Sequence, residues 1–261
     1  ELAKDIIDDR LIGALHLLTL TREGLSLDEH TERTVIQAGT INALLDGKYE
    51  GDITIGELLA LGSDGIGTTQ GLDGELIILD GAAFSARADG SVAVVTPETK
   101  TPFAVLTRFE TTKAIDVKEM RFDNFLNHID CISGNTPVVA IKARGAFKNL
   151  HLRSVEKQLP PYRPLIEIVA DQTEWHFKET DGDLIGFQFP DTIAGVEVPG
   201  WHLHFISKDR LHGGHVISLD VVSAQIELSD CDQLHVELPS GSKLGEIGDG
   251  DRSAINAIEG R

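Results

Sequence analysis

The sequence is poor in cysteine and contains no long apolar run. Its two cysteines, Cys131 and Cys231, are far apart and show no C-x-x-C spacing. This excludes a disulfide framework and a thiolate zinc site, and it favours a reducing compartment. A membrane-spanning helix needs about 18 consecutive apolar residues, and no stretch approaches that length. We therefore expect no membrane span.

Basic residues are also scarce. Lys and Arg total 23 against 42 Asp and Glu, a formal net charge of −19. Such a surface repels phosphate backbones, so a nucleic-acid partner is excluded. The composition is otherwise that of a globular protein, with 41% hydrophobic and 25% charged residues, which argues against disorder. The length suits one large domain or two modest ones.

Local patterns predict an α/β (α+β) chain. Capped helices are expected after Thr40 and Thr54, and a longer helix over residues 118–132. Short apolar segments bounded by Gly, Asp or Pro predict strands in both halves. Three prolines within 160–164 interrupt regular structure, and we place a domain boundary there. The predicted division is an N-terminal domain over 1–157 (with 1–30 unassigned), a β-rich metal-binding domain over 158–240, and a tail over 241–261.

Histidines concentrate in one segment. Four of the ten lie between positions 202 and 215. The i, i+2 spacing of His202 and His204 places both rings on one face of a strand. A turn ending in two glycines would bring His215 back beside them on the next strand, whereas we interpret His212 as a loop residue. Three neutral imidazoles on a rigid sheet are a common way to hold catalytic zinc.

Two charged residues stand out for different reasons. Glu75 begins a strand that is apolar on both faces, so it is either partnered at a site or lies just outside the strand end. Arg144 shares a strand face with Lys142. It belongs either to a solvated basic edge or to a site where its planar guanidinium binds a substrate carboxylate.

Taken together, these motifs resemble the acetolactate decarboxylase family, and the match runs in order from about Val35 to Glu259. The segments that carry the resemblance are Gly65–Thr68, Leu72–Leu76, Thr101–Val105, Arg144–Phe147, Gln158–Arg163, Val198–Ile206 and Asp209–Val216.

The resemblance implies two domains, each built on a mixed β-sheet, with Zn²⁺ at the cleft between them. By the same resemblance, the histidines that bind zinc are His202, His204 and His215. The residues that match the family's other active-site positions are Arg144, Glu75, Glu259 and Thr68. Glu259 would return to the metal from the C-terminal tail.

The implied activity is that of a carboxy-lyase in acetoin and butanediol formation. Its substrate would be a small anionic 2-hydroxy-3-oxo acid, 2-acetolactate, converted without oxidation to acetoin and CO₂. Zinc would act as a Lewis acid that stabilises an enediolate. Arg144 would bind the carboxylate, and Glu75, Glu259 or a metal-bound water would deliver the proton. We expect a cytoplasmic homodimer without an organic cofactor.

Two other interpretations stay open at this point. Cupin-type metal dioxygenases also place H-x-H on a strand and a later histidine, but they carry a glutamate shortly after the second histidine, and residues 205–210 contain none. A non-enzymatic, metal-stabilised β-rich binding module would explain the histidines and would leave Arg144 without a role.

Overall fold

The structure is a computed structural model that describes residues 33–238 and the backbone of residues 16–19. It is an α+β fold dominated by β-sheet. The strands are β1 (His16–Thr19), β2 (Thr34–Ala38), β3 (Ile53–Thr54), β4 (Asp64–Thr68), β5 (Glu75–Leu79), β6 (Ala82–Ala86), β7 (Val92–Val94), β8 (Lys100–Thr101), β9 (Phe103–Thr107), β10 (Lys113–Arg121), β11 (Val138–Ser154), β12 (Thr173–Phe189), β13 (Gly200–Ser207), β14 (Gly213–Cys231) and β15 (Gln233–Glu237). The helices are α1 (Ile41–Leu45), α2 (Ile55–Leu59), α3 (Phe122–Ser133) and α4 (Leu165–Val169).

The first large sheet is mixed, as the resemblance implied. Its strand order is β1-β15-β2-β9-β4-β5-β6-β7. The pairs β1–β15 and β15–β2 are parallel, and the remaining pairs are antiparallel. A small separate sheet joins β3 to β8. Strand β5 therefore lies inside the first sheet between β4 and β6, with Glu75 at its beginning.

The second large sheet has the order β10-β14-β11-β12-β13. All of its described pairs are antiparallel, so the prediction of a mixed sheet does not extend to it. Antiparallel pairing is what direct connections between neighbouring strands produce. Strand β13 also pairs with the beginning of β14. Strands β14, β11, β12 and β13 therefore form a closed ring of paired strands.

Helix starts follow the predicted capping signals. The Thr40 hydroxyl accepts a hydrogen bond from the amide of Ala43, and Thr54 forms a reciprocal capping box with Glu57. The long helix predicted over 118–132 begins later, at Phe122, because residues up to Arg121 continue β10 along β14. The sheet pairing outweighs the helical preference of these four residues.

Apolar side chains form layers on both sides of the sheets. The central layer fills the space between the two large sheets and includes Ile77 and Ile185. A second layer lies inside the closed strands and under α3, where Phe125 and Ile129 are fully buried. Each large apolar side chain buried in this way contributes roughly 1.5–3 kcal/mol to stability. The central layer leaves a cleft at one end.

The chain does not pass from one sheet to the other at the proline-rich segment. Strands β10 and β11 precede residue 158, yet they pair with β14 and β12 beyond it, and β15 returns to the first sheet. Sheet membership changes near residue 110 and again near residue 232. The predicted boundary at 158 therefore does not coincide with a change of sheet. The three-part division into 1–157, 158–240 and 241–261 stays a prediction.

Within the described residues, no helix has the length and apolar character needed to cross a membrane.

Candidate metal centre

Strands β13 and β14 place three histidines on one face. His202 and His204 alternate with Leu203 and Phe205, which point into the layer inside the closed strands. Across the pair, His204 lies directly opposite His215. Backbone pairing therefore brings together two histidines that are eleven residues apart in the chain.

The three rings converge on a small volume. Their centroids lie 5.0–5.5 Å apart, and one nitrogen from each ring lies within 4.8 Å of the others. All three side chains are buried, and His204 is completely inaccessible to solvent. A buried cluster of imidazoles is stable only if the rings are neutral, because like charges at this separation repel strongly.

The protonation of His204 is set by the first sheet. Its Nδ1 lies 2.9 Å from the carbonyl oxygen of Leu76 on β5, and a carbonyl can only accept, so Nδ1 carries the proton. Burial lowers the pKa of His204 well below its usual value, and the neighbouring His202 lowers it further. His204 is thus neutral, with an unprotonated Nε2. Such an outer hydrogen bond is typical of metal-binding histidines.

Glu75 faces the same point from the first sheet. Its Oε2 lies 3.5 Å from Nε2 of His204. This Nε2 is buried and makes no hydrogen bond within the described part of the chain. A lone pair and a carboxylate oxygen therefore face each other, which is unfavourable without a cation between them. Two ligands of one tetrahedral zinc ion would lie roughly 3.4 Å apart, so the donors present fit the metal.

A second carboxylate lies behind the cluster. Oε1 of Glu197 is 3.6 Å from Nδ1 of His202, and the whole Glu197 side chain is buried. A hydrogen-bonded carboxylate orients a ligating imidazole, but at 3.6 Å Glu197 and His202 are in electrostatic contact without a hydrogen bond between them. Sequence analysis missed this residue, because Glu197 lies in an irregular segment after the turn at Asp191–Ile193, where no periodic pattern predicts its direction.

The cluster opens into a cleft of about 520 Å³, part of it open to solvent. The polar side chains that line it are Thr68, Glu75, Arg153, His202 and His215, and apolar side chains such as those of Ile41, Leu44, Leu72 and Phe103 form the remaining wall. Thr68 pairs with Glu75 across β4 and β5. Its hydroxyl donates to the carbonyl of Gly74 at 2.9 Å and so holds the turn that leads into Glu75.

Arg153 supplies the positive charge of the cleft, and sequence analysis missed it. It lies opposite His215 in the β11–β14 register and is 5% exposed. Register shifts interrupt β11 between Ala146 and Leu152. These bulges reverse the alternation of side chains, so Arg153 points toward the first sheet although simple alternation from Arg144 predicts the opposite face.

The prediction that Arg144 belongs to the site needs correction. Arg144 also lies on β11, but nine residues before Arg153, roughly 30 Å along an extended strand. Its side chain is 67% exposed and contacts Asp183 at 2.6 Å and Asp80 at 3.4 Å. Nearby, Lys142 contacts Asp80 and Asp64. These residues form a surface charge network, which corresponds to the alternative of a basic edge.

The remaining predicted site residue, Glu259, lies outside the described residues, and its return to the metal stays a prediction. The loop interpretation of His212 agrees with the structure, since its exposed ring packs against Phe177 at a centroid distance of 5.2 Å. The geometry thus brings together His202, His204, His215, Glu75 and Thr68, and it adds Arg153.

Comparison with known proteins identifies the family. The sequence model of the alpha-acetolactate decarboxylase family matches residues 35–246. Alpha-acetolactate decarboxylase from Methylococcus capsulatus is 37% identical over 212 residues, which cover 80% of this chain and 82% of that protein. The enzyme of the same name from Klebsiella aerogenes is 37% identical over 217 residues, 82% of this chain and 83% of that one.

The fold agrees with the same assignment. The crystal structure of alpha-acetolactate decarboxylase from Bacillus subtilis strain 168 superposes with a TM-score of 0.83 at 31% sequence identity, covering 87% of this chain and all of that one. The matched range, residues 35–246, covers most of the chain and contains the positions of the three histidines, Glu75 and Arg153. On these grounds, the chain belongs to the alpha-acetolactate decarboxylase family.

Proposed function

We propose that the protein catalyses the non-oxidative decarboxylation of 2-acetolactate to acetoin and CO₂. The observation that carries this proposal is a buried cluster of three histidines that converges with Glu75 and Arg153 at one cleft between the sheets. The relatives named alpha-acetolactate decarboxylase support the choice of substrate. The apolar part of the cleft wall suits the methyl groups of this small molecule.

The proposal places a zinc ion at the cleft of a two-domain protein, each domain built on one of the large sheets. His202, His204 and His215 would hold the ion, with Glu75 beside it. When bound, the ion supplies Lewis acidity to the hydroxyl and ketone oxygens of the substrate. The hydrogen bond from His204 to Leu76 keeps the ligand nitrogen unprotonated, which metal binding requires.

Arg153 would bind the carboxylate that leaves as CO₂. The substrate is an anion, and a protein of net charge −19 otherwise repels it. The guanidinium can donate two parallel hydrogen bonds to a carboxylate. Because Arg153 is buried beside His215, its charge is poorly screened and its position is well defined. This contact also orients the bond that breaks.

A proton must then reach the carbon that lost CO₂. Among the described residues that line the cleft, Glu75 is the one with a carboxyl group. This group lies beside His204. We propose that Glu75 takes up a proton from solvent and delivers it to one face of the enediolate, so that one proton is consumed for each CO₂ released. Thr68 acts as a positioning residue through the turn before Glu75. A contribution from Glu259 of the C-terminal tail remains part of the proposal.

The decisive experiment is incubation of the zinc-loaded protein with racemic acetolactate under air and without oxygen. We expect acetoin and CO₂ in equal amounts under both atmospheres, loss of both on chelation, and recovery on adding zinc. A cupin-type dioxygenase would consume oxygen, and a binding module would produce nothing. Either of these results would overturn the proposal. The homodimer and the cytoplasmic location stay predictions.

A further inference from the structure

A second group of metal-binding side chains lies outside the cleft. His151 on β11 and His176 on β12 are direct partners across antiparallel strands. Glu174 precedes His176 by two residues, so it projects from the same face of β12. One ligand atom from each of the three lies within 4.8 Å of the others. The zinc site of the proposed function uses none of these residues.

The three side chains are already in close contact. The two imidazole rings stack with centroids 4.0 Å apart and planes 26° apart. Nε2 of His151 lies 2.8 Å from Oε2 of Glu174. The other oxygen of Glu174 accepts a hydrogen bond from Gln172 at 2.7 Å, which holds the carboxylate toward the histidines.

We propose that His151, Glu174 and His176 form a second binding site for a divalent transition-metal ion, of which Zn²⁺ is the representative. Two imidazoles with one carboxylate are the donors that zinc and its neighbours in the first transition row prefer, whereas Mg²⁺ and Ca²⁺ prefer sites made of oxygen atoms. The ion would replace the proton between His151 and Glu174. The exposed His176 ring can rotate to direct its nitrogen toward the same point.

The accessibility of this site separates it from the cleft. His176 and Glu174 are exposed and His151 is partly buried, whereas the three cleft histidines are buried. His151 lies two residues from Arg153 on the same face, roughly 7 Å along the strand. The second ion would therefore lie near the outer rim of the cleft and exchange readily with solvent.

The test counts zinc ions per chain in the intact protein. Equilibrium dialysis at increasing free Zn²⁺, followed by elemental analysis, should show two ions per wild-type chain, one tightly held and one more weakly held. His176→Gln should retain the tight ion and weaken the second by roughly tenfold or more, because it removes one of three protein ligands. Glu174→Gln should weaken it in the same way. His128→Gln, which changes an exposed histidine on α3, should bind like the wild type.

His204→Ala provides the reciprocal measurement. It should lose the tight ion and keep the second, which shows that the two sites are independent. Melting temperatures of all variants verify that they are folded. Saturation of the wild type at a single ion, or binding by His176→Gln and Glu174→Gln that equals that of His128→Gln, would overturn the second site. Neither result bears on acetolactate turnover, so failure here is distinguishable from failure of the proposed function.

Discussion

Arg153 and His215 are direct partners across strands β11 and β14, and His215 is in turn the partner of His204 across β14 and β13. Three adjacent strands thus present a guanidinium and two imidazoles in one row. Because the strand pairing is fixed by backbone hydrogen bonds, it sets the spacing of the backbone positions that carry Arg153 and the histidine cluster.

Replacing Arg153 tests this arrangement. Arg153→Lys keeps the charge and loses the planar pair of donors, so turnover of acetolactate should fall by about 10²–10³, equivalent to roughly 2–4 kcal/mol of transition-state stabilisation. Zinc content should not change. Arg144→Lys is the matched control on the same strand, and it should retain wild-type turnover. Equal losses in both variants would return Arg144 to the active site.

The histidine cluster predicts a loss of metal from a single substitution. His204→Ala leaves two imidazoles and removes the ring whose tautomer is fixed by Leu76, so zinc at the cleft should be lost in dialysis against a buffer that leaves the wild type loaded. His212→Ala, in the adjacent turn, is the control. Elemental analysis that finds full loading of the His204 variant at the cleft would exclude His204 as a ligand.

The proposed role of Glu75 as proton donor gives a separate prediction. Glu75→Gln preserves the shape of the side chain and removes its ability to donate a carboxylic proton, so turnover should fall by about 10²-fold or more with the fold intact. Glu119→Gln, an exposed position at the end of β10, should have no effect. Circular dichroism verifies the fold of both. Normal turnover in the Glu75 variant would assign the proton to another group.

Stability should depend on the protonation of His235. Burial lowers the pKa of this residue on β15, so the unfolded chain takes up the proton more readily than the folded one. The contribution of His235 to stability should therefore be constant above the unfolded pKa of about 6.5 and should fall as the pH decreases below it. His235→Gln should reduce this slope in urea unfolding between pH 5 and 8, about the usual working range of histidine. His128→Gln should leave the slope unchanged.

The two cysteines should differ in reactivity. Burial raises the pKa of Cys231 to about 11, whereas Cys131 is exposed on α3. A thiol reagent at neutral pH should label one cysteine per native chain and both after denaturation, because only the thiolate reacts. Cys131→Ser should remove the native reaction entirely. Rapid native labelling of Cys231 would indicate that β14 opens near its end.

Part of this fold follows from local sequence rules. Thr40 and Thr54 predict helix starts because a capping hydroxyl acts within four residues. The i, i+2 spacing of His202 and His204 likewise predicts a shared face. A turn before His215 is also predicted, although it ends earlier than expected, because Gly213 and Gly214 already belong to β14. Each of these inferences depends on groups that are close along the chain.

Other features depend on distant pairing and could not be derived in this way. The bulges in β11 arise where its register with β14 shifts, and they reverse which side chains face the cleft. Simple alternation along β11 places Arg153 on the face opposite to Arg144, so it gives no indication that Arg153 faces the cleft. The helix prediction starts at Lys118, but the apolar stripe begins only at Phe122, and residues 118–121 pair with β14 as the end of β10. The chain also passes from the first large sheet to the second near residue 110 and returns near residue 232, and no proline-rich segment marks either position.

The hydrogen bond between His204 and Leu76 has a consequence for the evolution of this chain. The histidine belongs to one sheet and the carbonyl that sets its tautomer belongs to the other. A duplication or recombination event that transferred only residues 200–231 would carry all three imidazoles and would lose the group that keeps one of them ready to bind metal. A backbone carbonyl is present whatever side chain residue 76 carries, so the hydrogen bond depends on keeping the two sheets together and not on the identity of that residue.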